Sequence, residues 1–198
     1  MASSGTTPTP PSAAGAATTI TPVACPPDEA TIQALADLLV DAVESGASVS
    51  FAGRLDREEA RRWWTATLAD FGGRDVLLVA HDAEGIAGTV QVRGCWQSNQ
   101  RFRGEVMKLL VHRRARGRGL GDRLMEAIEG EAAAIGLRLL ILDTKAGSDA
   151  DRLYRRRGWT RLGEIPDYAL DSEGRPAPTA IFYRQLGPVP AAPRATSP

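Results

Sequence analysis

The run from Val106 to Leu124, V-M-K-L-L-V-H-R-R-A-R-G-R-G-L-G-D-R-L, constrains this chain more than any other stretch. Its apolar half, ending at Val111, has the composition of a buried strand. Arg113 to Gly121 is a basic turn punctuated by glycines, and from Leu120 the apolar positions recur with the period of a helix. A strand running through a glycine loop into a helix is an anion cradle. Glycine lets the backbone approach a phosphate closely, and the first amides of the helix aim partial positive charge at it. Arg116 and Arg118 add guanidinium groups that can pair with phosphate oxygens.

The flanking sequence supplies a sheet and helices for this unit to sit in. After a short extended segment at Thr19 to Ala24, Pro26-Pro27-Asp28 reads as a helix entry, with Ile32, Leu35, Leu39 and Ala42/Val43 on one face and Gly46 as the stop. A second helix opens at Asp56, with Glu59 in a D-x-x-E capping pattern and Ala60, Trp64, Leu68 and Phe71 turned inward. Val76 to Ala80 and Ile86 to Val92 flank a tight turn and form an antiparallel hairpin. The strand from Glu105 follows. Beyond Leu120, Leu124, Ile128 and Ile135 keep a helical period with Asp122, Arg123, Glu126 and Glu129 outward. Leu137 to Leu142 is too apolar for a wet face, as a central strand beside a parallel neighbour should be. Ser148 caps a short helix through Arg157, and Trp159 to Leu170 and Ala180 to Leu186 complete the sheet. The expected class is α/β (α+β), with a mixed, mostly antiparallel sheet.

A chain of 198 residues with 43% hydrophobic content suits one ordinary core: a domain over residues 17–186, with disordered tails at 1–16 and 187–198. The 24 basic and 24 acidic residues cancel, so bulk charge points to neither a nucleic-acid coat nor a membrane surface. The basic charge gathers locally, at Arg101, Arg103, Lys108, Arg113, Arg114, Arg116 and Arg118. Cys25 and Cys95 are too few for a disulfide framework, and His81 and His112 too few for a histidine zinc site. No apolar stretch approaches ~18 residues and no signal-peptide pattern opens the chain. A cytoplasmic protein is expected, without metal, nucleic-acid or membrane partners.

Three phosphate loops compete for the central motif. A triphosphatase loop needs Lys and Ser/Thr straight after its last glycine, where this chain has Asp122 and Arg123. A dinucleotide G-x-G-x-x-G would need a glycine at 122 rather than 121, although Asp143 stands at about the distance expected of the ribose-binding acid. The pattern R-x-x-G-x-G fits Arg116, Gly119 and Gly121. With it, L-L-V-H-R-R-A-R-G-R-G-L-G-D-R-L-M resembles the pyrophosphate motif of the GNAT-type acetyl-coenzyme A-dependent N-acetyltransferases. S-D-A-D-R-L-Y-R-R-R-G-W resembles their second motif. The similarity runs from about Thr18 to Leu186, and E-V-M-K-L-L-V with G-W-x-R-x-G-x-I-P-D-Y-A-L is most similar to the tabtoxin-resistance-like branch.

The resemblance implies the acyltransferase fold, with one splayed parallel strand pair and flanking helices, and acetyl-CoA as cosubstrate. It implies that backbone amides over Arg116, Gly117, Arg118, Gly119, Leu120 and Gly121 hold the pyrophosphate, and that the pantetheine pairs with Leu109, Leu110 and Val111. One amide of that segment would face the thioester oxygen. Asp149 stands where many relatives have an asparagine on the pantetheine side. Tyr154 matches the tyrosine that protonates the departing sulfur; its bland role is packing at a helix end. Glu105 is the first candidate base and Asp143 the second, directly or through water. Alternation puts Glu105, Met107 and Leu109 on one strand face. For Glu105 the plain alternative is an ion pair with Arg101 or Arg103; for Asp143, a hydrogen-bonded strand-end carboxylate. His112 reads as a loop-entry residue, the four tryptophans as core or pocket wall, and Arg155 to Arg157 as a solvated helix face.

The expected activity is direct transfer of acetyl to the amine, less readily the hydroxyl, of a small molecule such as an amino-acid-like toxin or antibiotic. Neither motif has a cysteine to carry the acyl group. The rival classes are an acetyl-CoA sensor on the same fold and a nucleic-acid module using the arginine patch, against which the lack of stacking aromatics counts. Edge strands and the C-terminal hairpin offer surfaces for a homodimer.

Overall fold

The computed structural model describes residues 18–47, 49, 51 and 53–189. The expected N-terminal tail, and all but the first three residues of the C-terminal one, lie outside them. The chain runs β1 (Thr19–Pro22), α1 (Glu29–Glu44), α2 (Arg57–Ala69), β2 (Val76–Asp82), β3 (Gly85–Gly94), β4 (Arg103–Val111), α3 (Leu120–Ala134), β5 (Leu139–Lys145), α4 (Asp149–Arg156), β6 (Thr160–Leu170) and β7 (Pro176–Gln185). The helices begin where side chains can take up their orphan amides. Asp28 Oδ1 accepts from Thr31 N at 2.8 Å, Asp56 Oδ1 from Glu59 N at 2.7 Å and Ser148 Oγ from Asp151 N at 3.2 Å.

The strands form one sheet in the order β1-β2-β3-β4-β5-β7-β6, antiparallel throughout except for β4 beside β5. That parallel pairing covers only Arg103↔Leu139 to Glu105↔Ile141, after which the two strands part. Gly104 permits the close start: a Cβ there would lie 2.6 Å from Leu137 Cδ1. On one face α3 packs Leu120, Leu124, Met125 and Ile128 against Val90, Val92, Val106, Leu140 and Leu142. On the other, Leu35, Leu39, Trp64 and Leu68 of α1 and α2 cover Leu77, Val79 and Leu110.

Trp64 is fully buried and its Nε1 donates to the Leu35 carbonyl at 3.0 Å, which locks α2 onto α1. Trp64→Ala is expected to cost about 3–5 kcal/mol of unfolding free energy, read as a lower urea midpoint, because the void and lost apolar burial both count.

Two expectations change, and a third holds only in its second alternative. Asp143 lies inside β5 rather than at its end, since β5 continues to Lys145 against β7. Glu129 does not face water: it is 9% exposed and accepts from Trp159 Nε1 at 2.9 Å and, in ion pairs, from Arg157 and Arg184, each at 3.3 Å. A helical wheel cannot foresee this, because the partners come from the turn between α4 and β6 and from β7. Trp96, expected in the core or a pocket wall, is outside the core, 84% exposed, and lies on the wall of an open surface cavity with Arg74, Arg93 and Arg101.

Candidate active site

The glycine loop is held from beneath. Arg116 Nε donates to the Val111 carbonyl at 2.9 Å, folding the arginine back over the end of β4. Gly117 and Gly119 both adopt φ 73°, a conformation that side chains disfavour, and Gly119 is the N-cap of α3. Among the described residues no carbonyl accepts from the amides of Gly117, Arg118 or Gly119. These donors, with the start of a fifteen-residue helix and the exposed Arg118, fit a pyrophosphate. Gly121 lets α4 close in: a Cβ at this position would lie 3.4 Å from Leu153 Cδ2.

The arginine cluster is otherwise largely committed. Arg113 pairs with Asp41 and, at 3.0 Å, with Glu44; Arg114 pairs with Asp82 at 3.1 Å and also donates to the Ile86 carbonyl at 3.1 Å. These contacts fasten the loop entrance to α1 and to the β2–β3 hairpin. His112 is the loop-entry residue expected of it, its Nδ1 accepting from Arg114 N at 3.2 Å.

Strict alternation fails in β4. Thr89 pairs with Leu110 but Gln91 with Met107, so β4 holds one extra residue and bulges, with Lys108 at φ 52°. The bulge moves Leu109 and Val111 to the α3 face, beside Val106, and Leu110 to the α1–α2 face. Glu105 and Met107 therefore do not share a face with Leu109. Lys108 instead joins their side, where its Nζ donates to the Val49 carbonyl at 2.8 Å and lies 4.8 Å from the Trp63 ring centroid and 5.8 Å from that of Phe51.

Glu105 and Asp143 share that same face at the parting of β4 and β5, because Glu105 pairs with Ile141 and Asp143 follows two residues on. Among the described residues Glu105 makes no ion pair with Arg101 or Arg103. Its pKa is raised by burial and by the Asp143 charge, with Arg103 opposing. Asp143 stands at the solvent-reached mouth of the opening. Desolvation by the surrounding protein raises its pKa and Lys108 holds it down. Tyr154, on α4, is 5% exposed and packs against Trp159 and Phe182 at centroid distances of 5.9 and 5.8 Å. Burial, then the Asp143 charge, pushes its phenol well above the ordinary value, so it is protonated at neutral pH.

Asp149 is exposed and pairs with Arg152, one turn on. Arg155 to Arg157 are not simply a solvated face. Arg155 binds Asp151 at 2.6 Å, and Arg157 reaches the Asp122 carbonyl at 2.9 Å and Glu129, tying the end of α4 to the first turn and the middle of α3. Sequence reasoning missed Lys108, Trp63 and Phe51 as a group, and also Gln91, a fully buried amide beside Met107 with neither polar side-chain atom hydrogen-bonded. Only the bulge brings Lys108 to the aromatic pair, and no local pattern announces the bulge. Among the described residues no helix is long and apolar enough to cross a membrane, and no cluster of His, Cys, Asp or Glu side chains is arranged to hold a metal.

With this geometry in place, a family model described as "Acetyltransferase (GNAT) domain" matches residues 73–161, from the start of β2 to that of β6. Over this span the chain is similar to the GNAT acetyltransferases. The matched domain and the named relatives support an acetyl-CoA-dependent acyltransferase. Relatives agree. An L-methionine sulfoximine/L-methionine sulfone acetyltransferase from Pseudomonas paraeruginosa is 29% identical over 143 residues, 66% of this chain and 83% of that protein. An IAA acetyltransferase from Azospirillum brasilense is 43% identical over 70 residues, 34% of this chain and 45% of that one. The same GNAT fold is found in a phosphinothricin acetyltransferase from Sinorhizobium meliloti solved with AcCoA, at TM-score 0.69 and 23% identity over 86% of this chain and 89% of that one. The yncA protein of Salmonella typhimurium, solved with acetyl-CoA, has a TM-score of 0.71 at 23% identity, covering 91% and 99%.

Proposed function

We propose that this acetyltransferase moves the acetyl group of acetyl-CoA to the amine of a small, amino-acid-like molecule, by direct attack in a ternary complex. The observation that carries the reading is the convergence at the parting of β4 and β5. The loop amides stand at one end, Glu105 and Asp143 share one face of the opening, and the Asp143 charge acts on the buried Tyr154 phenol. The amides of Arg116 to Gly121 take the pyrophosphate. The segment Leu109 to Val111 takes the pantetheine, and one of its amides faces the thioester oxygen as negative charge develops there.

Glu105, or Asp143 directly or through water, removes a proton from the attacking amine. The C–N bond forms, the C–S bond breaks, and the departing thiolate takes its proton from Tyr154. Asp149, solvent-facing, is assigned to the outer pantetheine side. The methionine sulfoximine relative favours an amino-acid-like acceptor, and phosphinothricin, named for the Sinorhizobium structure, belongs to the same chemical class. The exposed Leu162, Ile165, Tyr168 and Leu170 on the edge strand β6 favour a homodimer through that strand, checked by sedimentation.

The test is thiol release from acetyl-CoA over a panel of amines, amino acids and their sulfone and sulfoximine analogues. Turnover with at least one amino-acid-like acceptor is expected. Tight acetyl-CoA binding with no turnover on any acceptor would favour the sensor, and no acetyl-CoA binding at all would overturn the reading.

A further inference from the structure

We propose that Lys108 is a positioning residue for the acceptor chemistry: its ammonium, carried across the sheet by the β4 bulge, is the counter-charge that keeps Asp143 ionised beside Glu105. This rests on the reading that those two carboxylates serve the acceptor amine. Without the extra residue in β4, position 108 would continue the Val106 side and point into the apolar packing under α3. A lysine at φ 52° is also a strained choice, and strain of this kind is held by its surroundings where it serves a site.

The surroundings are of the right sort. The Val49 carbonyl accepts from Nζ, and the Trp63 and Phe51 rings present their faces to the cation. Together they fix its position while removing much of its water. From β5 the facing charge is Asp143, on the same side of the opened strand pair; from β4 it is Glu105, with Arg103 beyond it; from α4 the Tyr154 phenol faces Asp143. The influence is mutual: burial pulls Lys108 down to about 8 while Asp143 holds it up, and Lys108 in turn lowers Asp143. The residue type fits too. The chain has twenty-two arginines and two lysines, Lys108 and Lys145, so lysine is the exception here. An ammonium is a compact point charge, whereas a guanidinium fork would demand more partners in the same space.

Two measurements decide the matter. With lysine labelled at 13Cε, the protein gives two lysine resonances, and Lys108→Met assigns them by loss of one. The Lys108 midpoint near 8 should fall in Asp143→Asn, because the charge that favours the ammonium is gone. A midpoint unmoved by that substitution overturns the proposal, whether or not an acceptor has been found, so this arm does not depend on the catalytic reading. The second is the pH profile of kcat/KM. Removing the ammonium lets Asp143 take up a proton at higher pH, so the acid limb of Lys108→Met should move up by roughly one pH unit. Lys108→Arg should return most of that shift. A lower rate with an unmoved acid limb means that Lys108 merely anchors the segment around Val49, and also overturns the proposal. If Lys108→Met does not fold, Lys108→Arg assigns the resonance by its loss and Asp143→Asn still reads the midpoint, which decides the proposal without the pH profile.

Discussion

Tyr154→Phe is expected to lower kcat by roughly 10²–10³-fold while leaving acetyl-CoA binding within about twofold of wild type, the usual size of a lost general acid. The substitution removes one oxygen from a ring that Trp159 and Phe182 continue to hold, so neither a cavity nor a repacked α4 should confuse the result. The phenol is suited to donate rather than accept, since burial and the neighbouring Asp143 charge keep it protonated well beyond neutral pH. A thiol has an ordinary pKa of ~8.5, below that of even an unperturbed phenol at ~10. Full transfer to the thiolate is therefore uphill in the free enzyme, and the hydroxyl contributes first as a hydrogen-bond donor while charge builds on sulfur. Single-turnover and calorimetric measurements separate the two effects. An unchanged kcat in Tyr154→Phe would remove the tyrosine from the chemistry and return it to the packing role its aromatic neighbours also suit.

Much of this arrangement was legible in the sequence because it is written in local rules. Asp28, Asp56 and Ser148 announce three helix starts through short side chains that reach an amide three residues on, which is a property of four consecutive residues. Gly117 and Gly119 mark the loop because few other residues tolerate its conformation. What the sequence hid is made by contacts between distant segments. Glu129 looks like an outward helical position until Trp159, Arg157 and Arg184 are folded over it. Lys108 looks like an inward strand position until β3 pairs across a bulge that only the register reveals. The face shared by Glu105 and Leu109 was lost for the same reason: one inserted residue reverses every side chain beyond it. Trp96 differs again: the polar turn between β3 and β4 keeps this large aromatic out of the core and leaves it on the wall of an open cavity, mostly in water.

Glu105→Gln is expected to reduce kcat/KM about 10²-fold or more near neutral pH and to leave an acid limb set by Asp143 alone, since the two neighbouring carboxylates together set it in the wild type. The sign follows from the environment. Glu105 is raised above 4.5 by burial and by Asp143, so the wild-type enzyme should lose activity as pH falls through that raised value, earlier than an exposed glutamate would dictate. A raised carboxylate also reports on stability in the opposite sense from the common salt-bridged case. Folding favours its protonated form, so the charged form is a burden on the native state that grows as pH rises from the unfolded-state value through the folded one, and is then constant. Glutamine keeps the shape and removes that burden. Glu105→Gln should therefore hold or raise the melting temperature at neutral pH while activity collapses, and the stability difference from wild type should vanish as pH drops below the unfolded-state value. A variant that is both inactive and markedly less stable at neutral pH would mean that Glu105 is a structural ion-pair partner, and Asp143 would then be left as the base. The opposition between activity and stability at one side chain is what a carboxylate kept partly desolvated for proton transfer should produce.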